Sequence, residues 1–361
     1  MKLKKTDFQR NLLAWYDENK KNLPWRNDTE PYHIWISEIM SQQTQVETVI
    51  PYYLRFMTKY PTIADLANAN DDELLKIWEG LGYYSRARNL KIAANQIMTE
   101  FDGKFPSDLT AIKSLKGIGP YTAAAISSIS FGQAEPAIDG NLLRVTARIF
   151  QLSDDIANQK SRKVFDEKLR ELISQNRPGD FNQALMDIGS TVCTPKIAKC
   201  EICPLTTFCQ AFANGNPLDF PVKSKKIKVK NLFYAAYVVK NSLGEYYFEK
   251  RAETGLLANM WIFPLVEISK ADFEQFASGQ KAPELLTNLP DTLSKLTLVG
   301  QIKHVFSHQK WHIVIFDGQP EENFIQENEL TENQIWLSNL TEIPLAGPTV
   351  KMLELLENDK M

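Results

Sequence analysis

Cysteine is scarce in this sequence. There are four in 361 residues, Cys193, Cys200, Cys203 and Cys209, all inside one 17-residue stretch. A disulfide framework spreads its cysteines through a small secreted domain, so that class is excluded. Histidine is as scarce, and His33, His304, His308 and His312 all lie far from the cysteines in sequence. No window of about 18 apolar residues occurs, which excludes a membrane-spanning helix. Charge runs from Lys2 to Arg10 with no apolar stretch behind it, so no secretory signal is expected and the chain reads as intracellular. Internal repeats and low-complexity tracts are absent.

What is present is ordinary globular material. Apolar residues make up 43% and charged residues 24%, enough for two or three domains with cores of their own. The net charge of -3 says little, but its distribution says more. Residues 1–220 hold 26 basic and 26 acidic side chains, residues 221–230 hold five lysines and no acid, and residues 231–361 hold 10 basic against 18 acidic. A polyanion would be favoured by the first part and the strip, and disfavoured by the bulk of the last.

The pattern changes at the same place. Up to about residue 212 apolar residues recur at three and four, as in Phe8, Leu12, Leu13 and Trp15 or Leu74, Leu75, Ile77 and Trp78. Gly and Pro punctuate the intervals, which predicts about ten helices and no strand of note. Residues 31–58 read as a longer helical region interrupted by Pro51. After Asn214-Gly215-Asn216-Pro217 the signals turn strand-like. Leu232–Val239 and Glu245–Glu249 read as a hairpin around Asn241-Ser242-Leu243-Gly244, with further strands at 297–305 and 310–316 and helices at 270–277 and 347–357. The expected layout is a helical domain over 1–216, a basic linker over 217–230 and a mixed α/β domain over 231–361.

Four constellations carry chemistry. The cysteines are spaced C-x6-C-x2-C-x5-C, and four thiolates suit either tetrahedral zinc or an iron–sulfur cluster; the spacing alone leaves both open. Leu115-Lys116-Gly117-Ile118-Gly119-Pro120-Tyr121-Thr122-Ala123 joins two helical stretches, with Ser107 as N-cap of the first and Pro120 in the first turn of the second. Gly117 and Gly119 permit a tight hairpin whose exposed N–H groups suit a phosphate. Asp139, in Ile138-Asp139-Gly140-Asn141, sits where a helix would start, a position that caps the helix and lowers a carboxylate pKa. Glu38 stands inside the apolar run Trp35-Ile36-Ser37-Glu38-Ile39-Met40, where partial burial would raise its pKa and give it a proton to deliver. Gln42-Gln43-Thr44-Gln45 follow on the same element, neutral donors and acceptors suited to base edges. Each motif alone has a plainer reading: an αα-corner, an N-cap, a solvated glutamate, a structural metal.

Together they resemble the adenine DNA glycosylases, a branch of the endonuclease III-like helix-hairpin-helix glycosylases. The resemblance rests on Ser37-Glu38-Ile39-Met40 with Gln42-Gln43-Thr44, Gly80-Leu81-Gly82-Tyr83-Tyr84-Ser85-Arg86-Ala87, the Gly117-to-Ala123 hairpin, Asp139-Gly140-Asn141, the cysteine spacing and Val305-Phe306-Ser307-His308. It covers essentially the whole chain. It implies an all-α helix-hairpin-helix core whose cysteine loop holds a [4Fe–4S] cluster, followed by a Nudix-like α/β domain. It also implies a monomer acting on double-stranded DNA that contains 8-oxoguanine:adenine or guanine:adenine mispairs, with the adenine flipped out and excised. By the same resemblance Glu38 is the general acid and Asp139 the carboxylate that stabilises a cation-like sugar. Asn141 and Tyr121 orient that pair, and Arg26 lies near the flipped base. Gln43 and Tyr83 wedge into the stack, Thr44, Leu81, Gly82, Gly117 and Gly119 meet the DNA, and Phe306, Ser307 and His308 read the oxidised guanine. Ser41 departs from the leucine usual in the family. No Nudix box of the R-E-x-x-E-E type occurs in residues 231–361, so that domain is expected to bind and not to hydrolyse nucleotides. A glycosylase/lyase on oxidised pyrimidines would need a lysine nucleophile where Tyr121 stands. A non-catalytic cluster-bearing DNA-binding or redox-sensing module would have no use for the two carboxylates together.

Overall fold

The computed structural model describes residues 4–224, 229–279, 293–320 and 330–358, with the side chains at 293–295 and 358 set aside. Lys225, Lys226 and Lys228 of the basic linker lie outside the described residues. The helical part runs α1 (Lys5–Asn19), α2 (Pro31–Ser41), α3 (Val46–Lys59), α4 (Ile63–Ala67), α5 (Asp71–Ile77), α6 (Ser85–Glu100), α7 (Leu109–Ser114), α8 (Pro120–Ser130), α9 (Gly140–Phe150), α10 (Arg162–Leu172), α11 (Pro178–Thr191) and α12 (Gln210–Ala213). Then come β1 (Lys230–Val239), β2 (Tyr246–Lys250), β3 (Trp261–Ile262), β4 (Leu265–Glu267), α13 (Lys270–Ala277), β5 (Leu293–Val305), β6 (Gln309–Pro320), β7 (Gln334–Leu337) and α14 (Gly347–Asn358).

The chain forms two compact units, Met1–Ala69 with Asn89–Lys225, and Asn70–Arg88 with Lys226–Met361. In the first, α1, α9, α10 and α11 share a core of Phe8, Leu12, Leu142, Phe165, Phe181 and Ile188. Proline opens α2, α8 and α11, where its missing N–H costs nothing. Two glycines of α11 allow close approach. A Cβ on Gly179 would stand 2.7 Å from the Ile129 backbone, and one on Gly189 2.6 Å from the Asn141 side chain.

Three local expectations change. Pro51 lies inside α3 and does not interrupt it. Its missing N–H forfeits only a bond to the first turn of the helix. The interruption is at residues 42–45, where Gln43 takes a left-handed φ of 58°, so the glutamine-rich series is a turn between α2 and α3. The N-cap of α7 is Asp108, not Ser107; its carboxylate accepts from the Ala111 N–H at 2.9 Å.

The second unit holds two sheets, ordered β4-β1-β6-β5 and β3-β2-β7. β1 runs parallel to β6, and β6 antiparallel to β5. The expected hairpin of β1 and β2 is not a ladder. The two strands join different sheets, and beside their turn the described residues form an isolated Lys240–Tyr246 bridge. Tyr237, Val239, Tyr247, Phe276, Val314 and Phe316 form the core of this unit. Residues 70–88, which read as helical-domain chain, are tied in here. The Lys76 ammonium donates to the Leu340 and Ile343 carbonyls, Lys250 pairs with Asp72 at 3.0 Å, and Arg88 donates to the Ala258 carbonyl at 2.8 Å.

Candidate functional site

Glu38 sits on the third turn of α2, half-buried between apolar residues that are themselves buried. The Tyr121 hydroxyl, on the first turn of α8, donates to Glu38 Oε2 at 2.5 Å. Burial, opposed by that hydrogen bond and reinforced by the charge of Asp139, raises the Glu38 pKa from 4.5 to about 7. With Oε2 accepting from Tyr121, a proton on the acid resides on Oε1. Burial and the two carboxylates hold the Tyr121 pKa well above its usual value, so it remains a donor.

Asp139 is the N-cap of α9. Its Oδ1 accepts from the Leu142 N–H at 2.7 Å and its Oδ2 from the Asn141 amide at 2.7 Å. The position is as expected, but the sign of the pKa shift is reversed. Desolvation raises the Asp139 pKa, outweighing the bonds from Leu142 and Asn141 and the charge of Arg144. A helix terminus favours an anion only by what its N–H groups supply, and burial here takes away more. Arg26 reaches this group through its field, which acts on Glu38. Its guanidinium is committed to Asp187 in a bidentate pair at 2.7 and 3.0 Å. Ser41 ends α2, one turn beyond Glu38.

Sequence reasoning missed Arg144, Arg148, Asp187 and Gly189. Arg144 donates to Asn141 Oδ1 at 2.8 Å, to the Gly189 carbonyl at 2.7 Å and to the Cys193 carbonyl at 2.8 Å. One turn later the fully buried Arg148 donates to Cys193 Sγ at 3.1 Å and to the Thr194 and Phe220 carbonyls at 2.9 Å. The available signal was their spacing: Arg144 and Arg148 are i, i+4 on a helix whose hydrophobic face needs no arginine.

The four cysteines line one small cavity with Arg148, Val192 and Phe212. Four sulfurs on one zinc ion would have to meet within about 4 Å of each other. Among the described residues no three Cys, His, Asp or Glu side chains are gathered around a single-ion position. Burial, with the neighbouring sulfurs, pushes the Cys203 thiol up to about 11. The set is therefore four half-buried thiols around a shared space, backed by a cation.

The hairpin residues Lys116, Gly117, Gly119 and Pro120 are exposed, while Leu115 and Ile118 pin the loop to the core. Gly117 has φ +81°, and a Cβ there would meet Asn89 at 2.7 Å. Gln43 is exposed at the α2–α3 turn, with Thr44 half-buried beside it.

The remaining expected residues gather in the second unit. Tyr83, at a left-handed φ of 50°, and Gly82 face Phe306, Ser307 and His308 across a cavity of about 420 Å³, also lined by Tyr84, Arg88 and His304. The Tyr83 and Ser307 hydroxyls are hydrogen-bonded. Leu81 is buried behind this wall. Phe306–His308 form the turn between β5 and β6, closed by Phe306 N–H to the Gln309 carbonyl at 2.8 Å and tied to β1 by Lys230 N–H to the His308 carbonyl at 3.0 Å. Phe306 rests on His304 and Trp311, at 4.6 and 5.0 Å between ring centres.

Comparison with known proteins decides the family. Curated adenine DNA glycosylases from rat and from Buchnera aphidicola subsp. Schizaphis graminum are each 35% identical to this chain. The rat alignment covers 84% of this chain and 69% of the relative, the Buchnera alignment 97% and 99%. The chain belongs to the adenine DNA glycosylase family. Residues 36–175 match the HhH-GPD superfamily of base excision DNA repair proteins, and residues 234–355 match the NUDIX domain. A solved thermostable thymine-DNA glycosylase is 30% identical with a TM-score of 0.54, over 58% of this chain and 97% of that one. A non-covalent endonuclease III–DNA complex, 21% identical with a TM-score of 0.50 over 59% and 98%, shares the fold. This family member is thus a DNA glycosylase, with a helix-hairpin-helix core and a Nudix-like C-terminal domain. Among the described residues no helix is long and apolar enough to cross a membrane.

Proposed function

We propose that this enzyme, acting as a monomer, hydrolyses the N-glycosidic bond of adenine mispaired with 8-oxoguanine or guanine in duplex DNA. One observation carries the reading: a glutamic acid whose pKa is raised to about 7, bonded to Tyr121 and within the field of Asp139. Adenine leaves deoxyribose poorly unless a ring nitrogen is protonated. Glu38 gives its Oε1 proton to that nitrogen, the C1′–N9 bond breaks, and its electron pair goes to the departing base. Asp139 balances the cation-like sugar; its ionised form is favoured by the N–H groups of Leu142 and Asn141 and by the charge of Arg144. Water adds at C1′ and its proton returns to the carboxylate of Glu38. Tyr121 offers no amine, so no Schiff base forms and the enzyme is monofunctional.

In the division of labour we propose, residues 1–216 grip the duplex and cut, and residues 231–361, across the 217–230 linker, inspect the base opposite. Gln43 and Tyr83, each at a left-handed φ in an exposed turn, enter the stack. Phe306, Ser307 and His308 read the 8-oxoguanine. Cys193, Cys200, Cys203 and Cys209 would hold a [4Fe–4S] cluster; the shared cavity, the thiol set and the cationic backing of Arg148 suit a polynuclear group carrying negative charge. Such a cluster, when bound, supplies a rigid crosslink for the loop. The test is incubation with a duplex holding one 8-oxoguanine:adenine pair. Release of free adenine, with little from thymine:adenine, is expected; thymine or pyrimidine release instead would overturn the reading.

A further inference from the structure

The stem behind the β5–β6 turn carries a cationic face in an otherwise acidic domain. Lys303 of β5 pairs directly across the ladder with His312 of β6, and Lys310 lies two residues before His312, so all three project from the same side. Asn231 of β1 lies beside Lys310 in register, and its Oδ1 bonds His312 Nε2 at 3.0 Å. Phe233 stacks on the His312 ring at 4.9 Å and holds it in place. Lys303 is exposed, and the neighbouring Val305 is 61% exposed. Among the described residues no carboxylate pairs with Lys303, Lys310 or His312; Lys270 on α13 is already paired with Glu274. The charge of Lys303 lowers the Lys310 pKa, and burial together with both lysines lowers that of His312. Two lysine charges thus face the same side with no carboxylate paired to either among the described residues.

We propose that this face binds the phosphodiester backbone of the DNA strand that the turn reads. The proposal rests on the lesion-reading role given above to Phe306–His308. With about 3.3 Å of rise per residue, Lys303 and Lys310 stand roughly 7–10 Å behind the turn. A turn that reaches a base leaves its stem at the height of the sugar–phosphate chain. Phosphate contacts fix position and carry no sequence information, so the stem would supply affinity and the turn selectivity.

The experiment measures equilibrium binding of the full chain to 8-oxoguanine:adenine and guanine:adenine duplexes over a salt series. Each phosphate contact contributes about 0.9 to the slope of log K against log salt. Lys303→Gln/Lys310→Gln should reduce the slope by about 1–2 and weaken both duplexes alike, leaving their ratio and single-turnover excision at saturation unchanged. The paired Arg variant should restore the slope, and Lys270→Gln should not alter it. An unchanged slope in the double variant overturns the proposal. So does loss of binding to polyglutamate with DNA binding intact, which would assign the face to an acidic protein segment. Replacing Phe306, Ser307 and His308 by Ala in parallel separates the two readings, because failure of the lesion-reading role appears as an unchanged ratio in that variant.

Discussion

Replacing Glu38 by Gln should make the protein more stable and nearly inactive, with the stability effect developing as pH rises towards 7 and the wild-type excision rate falling above it. Gln keeps the size of the side chain and an acceptor for the Tyr121 hydroxyl, but it has no proton to give. In the wild type the folded-state pKa is about 7 against 4.5 for an unburied glutamate. Below about pH 4.5 both states hold the proton and the burial of Glu38 is free of ionic cost. Between pH 4.5 and 7 the unfolded chain ionises while the folded one does not, so stability present at low pH is lost as pH rises. Above about pH 7 the loss levels off at about 3 kcal/mol, since each pH unit across that window removes about 1.4 kcal/mol. Glu38→Gln escapes that loss. Its advantage in urea unfolding should therefore grow by about 3 kcal/mol from pH 4.5 to pH 8, with most of the change below pH 7. The wild-type excision rate should move the opposite way. About half of Glu38 is protonated at pH 7 and about a tenth at pH 8, so single-turnover excision should fall about fivefold over that unit and approach tenfold per pH unit beyond it. At pH 7 the variant should be slower by at least ~100-fold while still binding DNA. A stability difference that is the same at pH 5 and pH 8, with a flat excision profile between pH 6 and 8.5, would refute this reasoning.

Purified protein should be yellow-brown with about four irons per chain, and Arg148→Ala, which orphans the Thr194 and Phe220 carbonyls and exposes Cys193 Sγ, should lower the iron content in elemental analysis. Gly189→Ala should slow excision without loss of DNA binding, because its Cβ would stand 2.6 Å from Asn141 Cβ and displace the amide that holds Asp139; single-turnover kinetics beside a binding isotherm will tell. Replacing Phe306, Ser307 and His308 by Ala should reduce the preference for 8-oxoguanine:adenine over guanine:adenine by about 5–150-fold, the worth of a lost bidentate-type contact. Competition between the two duplexes measures it.

The helical half was legible because period and punctuation agreed. Gly117, Gly119 and Pro120 mark a hairpin that forms where expected, and an acid before Gly140 marks a helix start that Asp139 caps. Glu38 in an apolar run was readable as a raised carboxyl because its neighbours Trp35, Ile36, Ile39 and Met40 are buried. Asp139 was misread in sign because the helix-start motif reports the N–H groups that favour the anion but not the desolvation that outweighs them. β3, β4 and β7 escaped because strands of two to four residues show no alternation. The assignment of residues 70–88 to the C-terminal unit was hidden too. It depends on Asp72, Lys76 and Arg88 finding partners some 170 to 270 positions away, pairings that leave no trace in a helix's own periodicity.

The eleven residues of α9 join the chemistry to the cysteine loop. Asp139 and Asn141 lie at its start, and Arg144 and Arg148 follow on the next two turns. Arg144 is buried with no carboxylate in bonding contact among the described residues, and burial lowers its pKa, so its charge is costly to keep. That charge acts in two directions: its field favours the ionised form of Asp139, and its N–H groups fasten Asn141 to the carbonyls of Gly189 and Cys193. A shift of the Cys193 backbone would loosen the guanidinium, then the Asn141 amide, then the carboxylate. With Asp139 in the role proposed above, the cysteine loop would bear on excision through this chain of contacts, and whatever rigidifies Cys193 would also set how firmly the Asp139 carboxylate is held.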